Sequence, residues 1–429
     1  YYINNDASHD NVIIGKNALQ GGTGTILGNV AVGTGAMEGV AGNSQTGTVA
    51  VGSSALNALT SGANNIAIGY GASAYLTTGS ANTVIGYEAF DNANGSESNN
   101  TAIGSHALSA FTADGTNRNT AVGVMALGTA QAGNNNTAIG SRAISNALVT
   151  GDNNTAVGES ALYALTSGHS CVAVGANALD ANTTGDSNNA FGLNALGVNT
   201  TARANSAFGN SALGNNTDGA DNTAMGHVAM ADNNTGTSNT AFGSVALNAN
   251  TSGSYNTAVG KSAGDAINEG THNTCIGFDA GTGDVNLTTG DYCTVIGSNS
   301  DTSAADAQGQ IALGYNVSCT ANTTVTIGYG TNTASLGLDG SDTSWAAASS
   351  DERYKENIET STAGLSFVND LRPVTYNWKK EKDVPVDMPN YKEGSDKAVL
   401  GHEYGTTLHG FIAQEVKTAI DNHSEIEEG

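Results

Sequence analysis

The sequence predicts a mainly β protein: a long parallel β-solenoid, or β-roll, of about 17-residue repeats, followed by a small α+β unit. Three observations predict it. A pattern N-T-A-[VIF]-G followed by x-x-A-L returns along most of the chain, as in "NNTAVGESAL" (Asn153 to Leu162) and "SNTAFGSVAL" (Ser238 to Leu247). Glycine closes every unit, and a polar turn follows it. The composition then changes abruptly between residues 340 and 350.

The glycine ending each unit falls at Gly15, Gly33 and Gly52 and so on to Gly277, with degenerate units at Gly297, Gly314 and Gly328. Fixed self-similarity of this kind marks a stacked-repeat architecture. Each unit offers a strand-like T-A-V/I run, a second short run x-x-A-L, and a turn such as "LTSGANN" (Leu59 to Asn65). β-branched residues and turn-forming Gly and Asn dominate. A glycine in every half-unit leaves no room for helix. Each unit is therefore expected to be one coil with two short strands and two bends.

In "NTAVG", Thr and Val share one face and Ala the other. Val, Ile or Phe is expected to fill the coil interior, leaving a flat Ala face for close approach by another chain. Asn at the bend is expected to form a hydrogen-bonded ladder between coils, and Gly to supply bend conformations other residues avoid. About 19 coils at the strand spacing make a rod on the order of 90 Å long. So thin a coil encloses little core, so association of several chains around one axis is expected.

Of the 14 Lys and Arg, five (Lys16, Arg118, Arg142, Arg203, Lys261) precede residue 350, and all three prolines (Pro373, Pro385, Pro389) follow it. The domains read as a regular rod over 1–280, degenerate repeats and transition over 281–340, and a C-terminal domain over 341–429. In that domain "TAGLSFVNDL" has helical spacing, with Leu365, Phe367, Val368 and Leu371 as its apolar face. "RPVTYNW" reads as a strand opening with an edge proline, and "GFIAQEVKTAI" as a strand end entering an amphipathic helix.

The formal charge of −25 argues against nucleic acid and anionic membranes as partners. No apolar run reaches the length of a membrane span, so no membrane insertion is expected. The chain opens at Tyr1 without Met or a signal-like segment and is expected to be a fragment or trimmed product. Four cysteines (Cys171, Cys275, Cys293, Cys319) form no C-x-x-C. Cys275 takes the Ala place, while Cys171 and Cys293 sit elsewhere in their repeats, and small buried residues are the expected role.

Other motif-like features are weak. "GGTGTILG" (Gly21 to Gly28) lacks the Lys-Ser/Thr of a phosphate loop, and "KKEKD" (Lys379 to Asp383) reads as a solvated loop. The N-x-T triplets are products of the repeat. His106, His169 and His227 recur at no fixed place, and the bends lack the pattern of calcium-binding rolls, so no metal or cofactor is expected. A glycan-degrading site would need paired carboxylates, but Glu88, Glu159 and Asp279 are scattered singly.

Two resemblances enter here. The "NTAVG…AL" unit resembles the head repeats of trimeric autotransporter adhesins, which form a left-handed parallel β-roll as a trimer from somewhat shorter repeats; similar repeats occur in phage tail fibres. "SDERYKENI" (Ser350 to Ile358), "LRPVTYNW" (Leu371 to Trp378) and "GFIAQEV" (Gly410 to Val416), in that order, resemble the C-terminal intramolecular chaperone domain of phage endosialidases, the S74 peptidase family. That domain normally continues further, so the resemblance implies truncation at Gly429. It also implies a Ser/Lys dyad, Ser350 and Lys355, that cuts between Ser349 and Ser350. A serine needs a base to take its proton, and a lysine serves only with a lowered pKa. The bland reading of Asp351 to Glu356 is a solvated, charge-mixed turn, and of His409 a packing or exposed histidine.

Together these imply a homotrimeric fibre or spike of a tailed phage, located on the virion and held by tail or baseplate proteins. It would attach to a host-surface receptor or glycan and at most cut itself once. A bacterial trimeric surface adhesin is the alternative, and a glycan-degrading tailspike ranks lower. The adhesive residues are expected on the variable bends and in the stretch from Gly281 to Gly340.

Overall fold

Each T-A-V unit forms a three-residue strand that pairs in parallel with the strand of the next unit: Thr155, Ala156 and Val157 lie beside Val172, Ala173 and Val174. The register holds from Val12–Ile14 to Thr324–Tyr329. The structure, a computed structural model, describes residues 10–20, 26–40, 45–146, 148–338, 346–347, 365–399 and 407–422. The sheet has 21 strands. The last two, Asn332–Gly337 and Ala346–Ala347, are antiparallel, and the other 19 stack in parallel through about 18 turns. By contact the chain divides into a unit over 1–350 and a second over 351–429.

The interior differs from the sequence expectation. The central alanine of the strand faces inward and is fully buried at Ala156, Ala173 and Ala190 alike. The flanking Val, Ile or Phe points outward, with Phe242 53% exposed. The reason is space. The x-x-A-L run on the far side of the coil already sends Ala161 and Leu162 inward, and Leu165 closes the corner, all fully buried. Little room is left in a close-packed coil this thin, so the strand contributes a small inward residue, alanine in most coils and Val84, Cys275 or Val295 in three.

The x-x-A-L run is also not a second strand. In it Ser160 (φ 55°) and Leu162 (φ 51°) are left-handed. Their N–H groups point opposite ways along the rod: Ser160 N–H donates to the Ser141 carbonyl of the preceding coil, Leu162 N–H to the Ala178 carbonyl of the next, both at 3.0 Å. A left-handed non-glycine residue costs about 1–2 kcal/mol. Full burial of a leucine returns about 1.5–3 kcal/mol, which offsets it.

The asparagine ladder forms as expected. Asn222 donates its N–H to Asn205 Oδ1 at 3.0 Å and its Nδ2–H to the Gly236 carbonyl at 2.8 Å, and its own Oδ1 accepts from Asn239 N–H at 3.0 Å. Cys171 and Cys293 both occupy this Asn place. Cys171 takes the N–H bond from its backbone to Asn154 Oδ1 at 2.9 Å, and its thiol donates to the Gly185 carbonyl at 3.2 Å. A second amide row lines the corner over Asn182, Asn199, Asn216, Asn233 and Asn250, where other coils carry Leu59, Phe111 or Leu165. The row ends because the next coil offers Ile267, which leaves the buried Asn250 Oδ1 without a donor.

Candidate functional site

Three places bear on function. The first is the junction where cleavage is expected. Asn332–Gly337 folds back antiparallel on Thr324–Tyr329, and Ala346–Ala347 pairs with Ala334 and Ser335. The parallel stack therefore ends in an antiparallel hairpin. Ser349, Ser350 and Lys355 lie outside the described residues. The backbone of His409 lies opposite Thr375 in a strand pair of the second unit.

The second place is the C-terminal unit. It comprises helix α1 (Leu365–Asp370), the antiparallel strands Val374–Tyr376 and Leu408–Gly410, and helix α2 (Ala413–Asp421). Each element falls where the sequence put it, although Val368, expected on the apolar face of α1, is exposed. Arg372, at the entry to the first strand, donates from Nε to Glu415 Oε2 at 3.0 Å and pairs with Oε1 as well, tying the strand to α2. This fork holds the Glu415 carboxyl below its usual range.

The "KKEKD" segment is anchored rather than a free solvated loop. Lys380 and Lys382 both reach Asp396, at 2.9 and 2.6 Å. Glu381 turns inward and accepts from Lys392 at 3.0 Å and Ser395 at 2.7 Å. Beside it lies a mostly apolar cavity of about 430 Å³ lined by Tyr376, Trp378, Val384, Met388, Val399 and Phe411. Tyr376 and Trp378 meet edge to face at 5.6 Å.

The third place is the outer face of the parallel sheet. The third residue of every strand stacks on its counterpart in the next coil, from Ile14 on Val32 to Leu313 on Ile327. The result is an uninterrupted ribbon of Val, Ile, Phe, Met and Leu with no charge on it. Most of its members are partly or substantially exposed. The alternation of the strand announced this row, but not that it would face outward.

Among the described residues, Glu88, Glu159 and Asp279 lie in three separate environments. Glu88 meets His106 at 3.3 Å and Glu159 meets Arg142 at 3.7 Å. Asp279 lies near Asp265, whose carboxyl is raised by burial first and by Asp279 second. The His106 ring lies tilted against Tyr87 at 5.5 Å, and His169 Nδ1 accepts from Asp152 N–H, so these histidines belong to separate environments. Among the described residues no group of three or more His, Cys, Asp or Glu is placed to hold a metal, and no helix is long and apolar enough to cross a membrane.

Residues 350–425 match the Peptidase S74 family, described as chaperone of endosialidase. The chain is thus a parallel β-solenoid carrying a C-terminal domain of that family. No curated protein matches the chain significantly.

Proposed function

We propose that this chain is the homotrimeric fibre or spike protein of a tailed phage, made for attachment to a host surface. The observation that carries the reading is the joining of a chaperone-of-endosialidase domain to a long, register-locked solenoid with an uncharged apolar ribbon. Domains of this family act in trimerisation. The ribbon supplies what a trimer of rods requires: 19 side chains, many about two-fifths exposed, present on the order of 1,000 Å² of apolar surface per chain. A standard interface buries about 800 Å² per partner. Acidic chains repel one another, and a ribbon without charge is where they can meet.

Repetition explains the need for a chaperone. Every coil resembles its neighbours, so chains can align one coil out of step and remain nearly native. A terminal domain that gathers three chains sets the alignment before the rods pair. Its release by attack of Ser350 on the Ser349 carbonyl, with Lys355 as base and water then hydrolysing the ester, makes assembly hard to reverse. The polar bends are left to contact a receptor or glycan.

The test is expression of wild type, Ser350→Ala and Lys355→Ala, followed by intact mass and sizing. The expected result is a wild-type trimer that has lost the segment beginning at Ser350, and two trimeric variants that keep it. Cleavage surviving Lys355→Ala removes the lysine from the role of base; a monomeric wild type removes the fibre reading. The likeness of the repeat to adhesin heads supports a second reading, a bacterial trimeric surface adhesin. Whether the protein co-purifies with phage particles or with the bacterial envelope separates the two.

A further inference from the structure

Coil length is uneven in parts of the rod: Thr101 pairs with Thr120, and Thr274 with Thr294. Between Thr155 and Thr274 it is constant, and every strand starts 17 residues after the last, as the bonds between Asn222 and Asn239 or Asn239 and Asn256 show. In this stretch the backbones of two chains would look the same after sliding by one coil. The backbone of this stretch does not distinguish one alignment from the next, so any local signal that holds the alignment there comes from side chains.

The ribbon changes character within that same stretch. It reads Val157 and Val174, then Phe191, Phe208, Met225 and Phe242, then Val259. The Phe191 and Phe208 rings stack at 4.7 Å and within 6° of parallel. The buried amide row from Asn182 to Asn250 runs through these coils and bonds each to the next, so the large side chains stand on a firm base. A four-coil block of large residues is bounded on both sides by valine.

We propose that the block from Phe191 to Phe242 is a register key, the surface by which further copies of this chain recognise the same four coils. The proposal rests on the trimer reading above. The occupant is a second and third copy because the block continues the uncharged ribbon without a break. In register, large residues meet large residues at four levels. One coil out of step, Val174 faces Phe191 at one end and Phe242 faces Val259 at the other. Packing that suits one size at every level leaves a void or a clash at these ends, and the row order Phe, Phe, Met, Phe is broken between them.

The test moves the key without changing its composition. Val174→Phe, Phe208→Met, Met225→Phe and Phe242→Val together shift the block one coil toward the N-terminus. Phe191→Val, Met225→Phe, Phe242→Met and Val259→Phe shift it one coil the other way, a second chance should the first variant fail to fold. Each full-length variant is expected to trimerise alone. Each is then co-expressed with differently tagged wild type, and trimer composition is read by native mass spectrometry against two tagged wild-type chains. Random mixing yields heterotrimers in about three quarters of assemblies, and the key should lower this to about one in ten. Random mixing of shifted and wild-type chains would overturn the key while leaving the trimer intact. Wild type running as a monomer would instead remove the trimer reading, and the key with it.

Discussion

At the bend, Gly209 has φ +148°, and a Cβ built there would lie 2.2 Å from the Gly226 carbonyl oxygen. Backbone conformation and space both demand glycine, and the obstacle is backbone that can yield only if two coils part. Gly209→Ala should therefore cost about 3 kcal/mol or more, read as a fall in the denaturant midpoint. A loss below about 0.5 kcal/mol would show that the stack is far looser than this. Asn222→Ala should cost about 1–3 kcal/mol, because it leaves the Asn239 N–H without a partner and the Gly236 carbonyl with only the Asn233 amide. Asn222→Cys should cost less, since Cys171 already fills that place with a thiol donor. The thiols themselves are closed off. Burial pushes Cys275 up to about 12, with Cys293 and Asp301 adding to the rise, and burial likewise pushes Cys171 up to about 11. At pH 8 a thiol reagent should leave the native protein unlabelled and modify all four cysteines after unfolding. Prompt labelling of any one in the native protein would contradict this packing.

A single strand can be tested for which side is core. Ala207 is fully buried and Phe208 is exposed. Ala207→Val should destabilise the coil by about 1–3 kcal/mol through overpacking, with assembly unchanged. Phe208→Lys should leave a single rod nearly as stable, within about 0.5 kcal/mol, yet reduce trimer formation on a sizing column. The reverse pattern would restore the opposite facing of the strand. That facing is where the sequence was least legible. Alternation separates Thr and Val from Ala, but the larger residue points inward only if nothing else fills the space. Leu162 and Leu165 fill it here from the other side of the coil. The repeat period, the Asn ladder and the Gly bends were readable, because each needs one residue type at one place. The left-handed Ser160 and Leu162 were not, because neither residue type signals that conformation. In the C-terminal unit, the strand and helix starts were readable from Pro373 and the spacing around Val416. The inward turn of Glu381 was not, since its partners Lys392 and Ser395 are distant in sequence.

For the whole molecule, the two units should answer acid in opposite ways. In the rod, burial raises the carboxyls of Asp91, Asp180, Asp265 and Asp301 above their ordinary value. A raised folded value means the folded rod binds these protons more tightly than the unfolded chain, so stability grows as pH falls from neutral toward about 4. Neutralising part of the −25 charge works in the same direction. Asp291 opposes them: burial favours its proton, but bonds from Thr271 carry it below the usual range. In the C-terminal unit the signs reverse. Hydrogen bonds from Lys382 and Lys380 lower Asp396 to about 2. Ser395 and Lys392 lower Glu381, and Arg372 lowers Glu415. Their contribution is complete above the unfolded carboxylate range, about 4, and is lost as pH falls from there toward 2. Scanning calorimetry of the uncleaved Ser350→Ala chain should show two transitions: the rod's rising between pH 7 and pH 4, and the C-terminal unit's falling between pH 4 and pH 2. Two transitions that fall together from pH 7 would mean that the buried aspartates do not govern the rod. If they diverge, acid below about pH 4 weakens the C-terminal unit while the rod stays folded, so under the proposed function the fibre would outlast the domain proposed to align it.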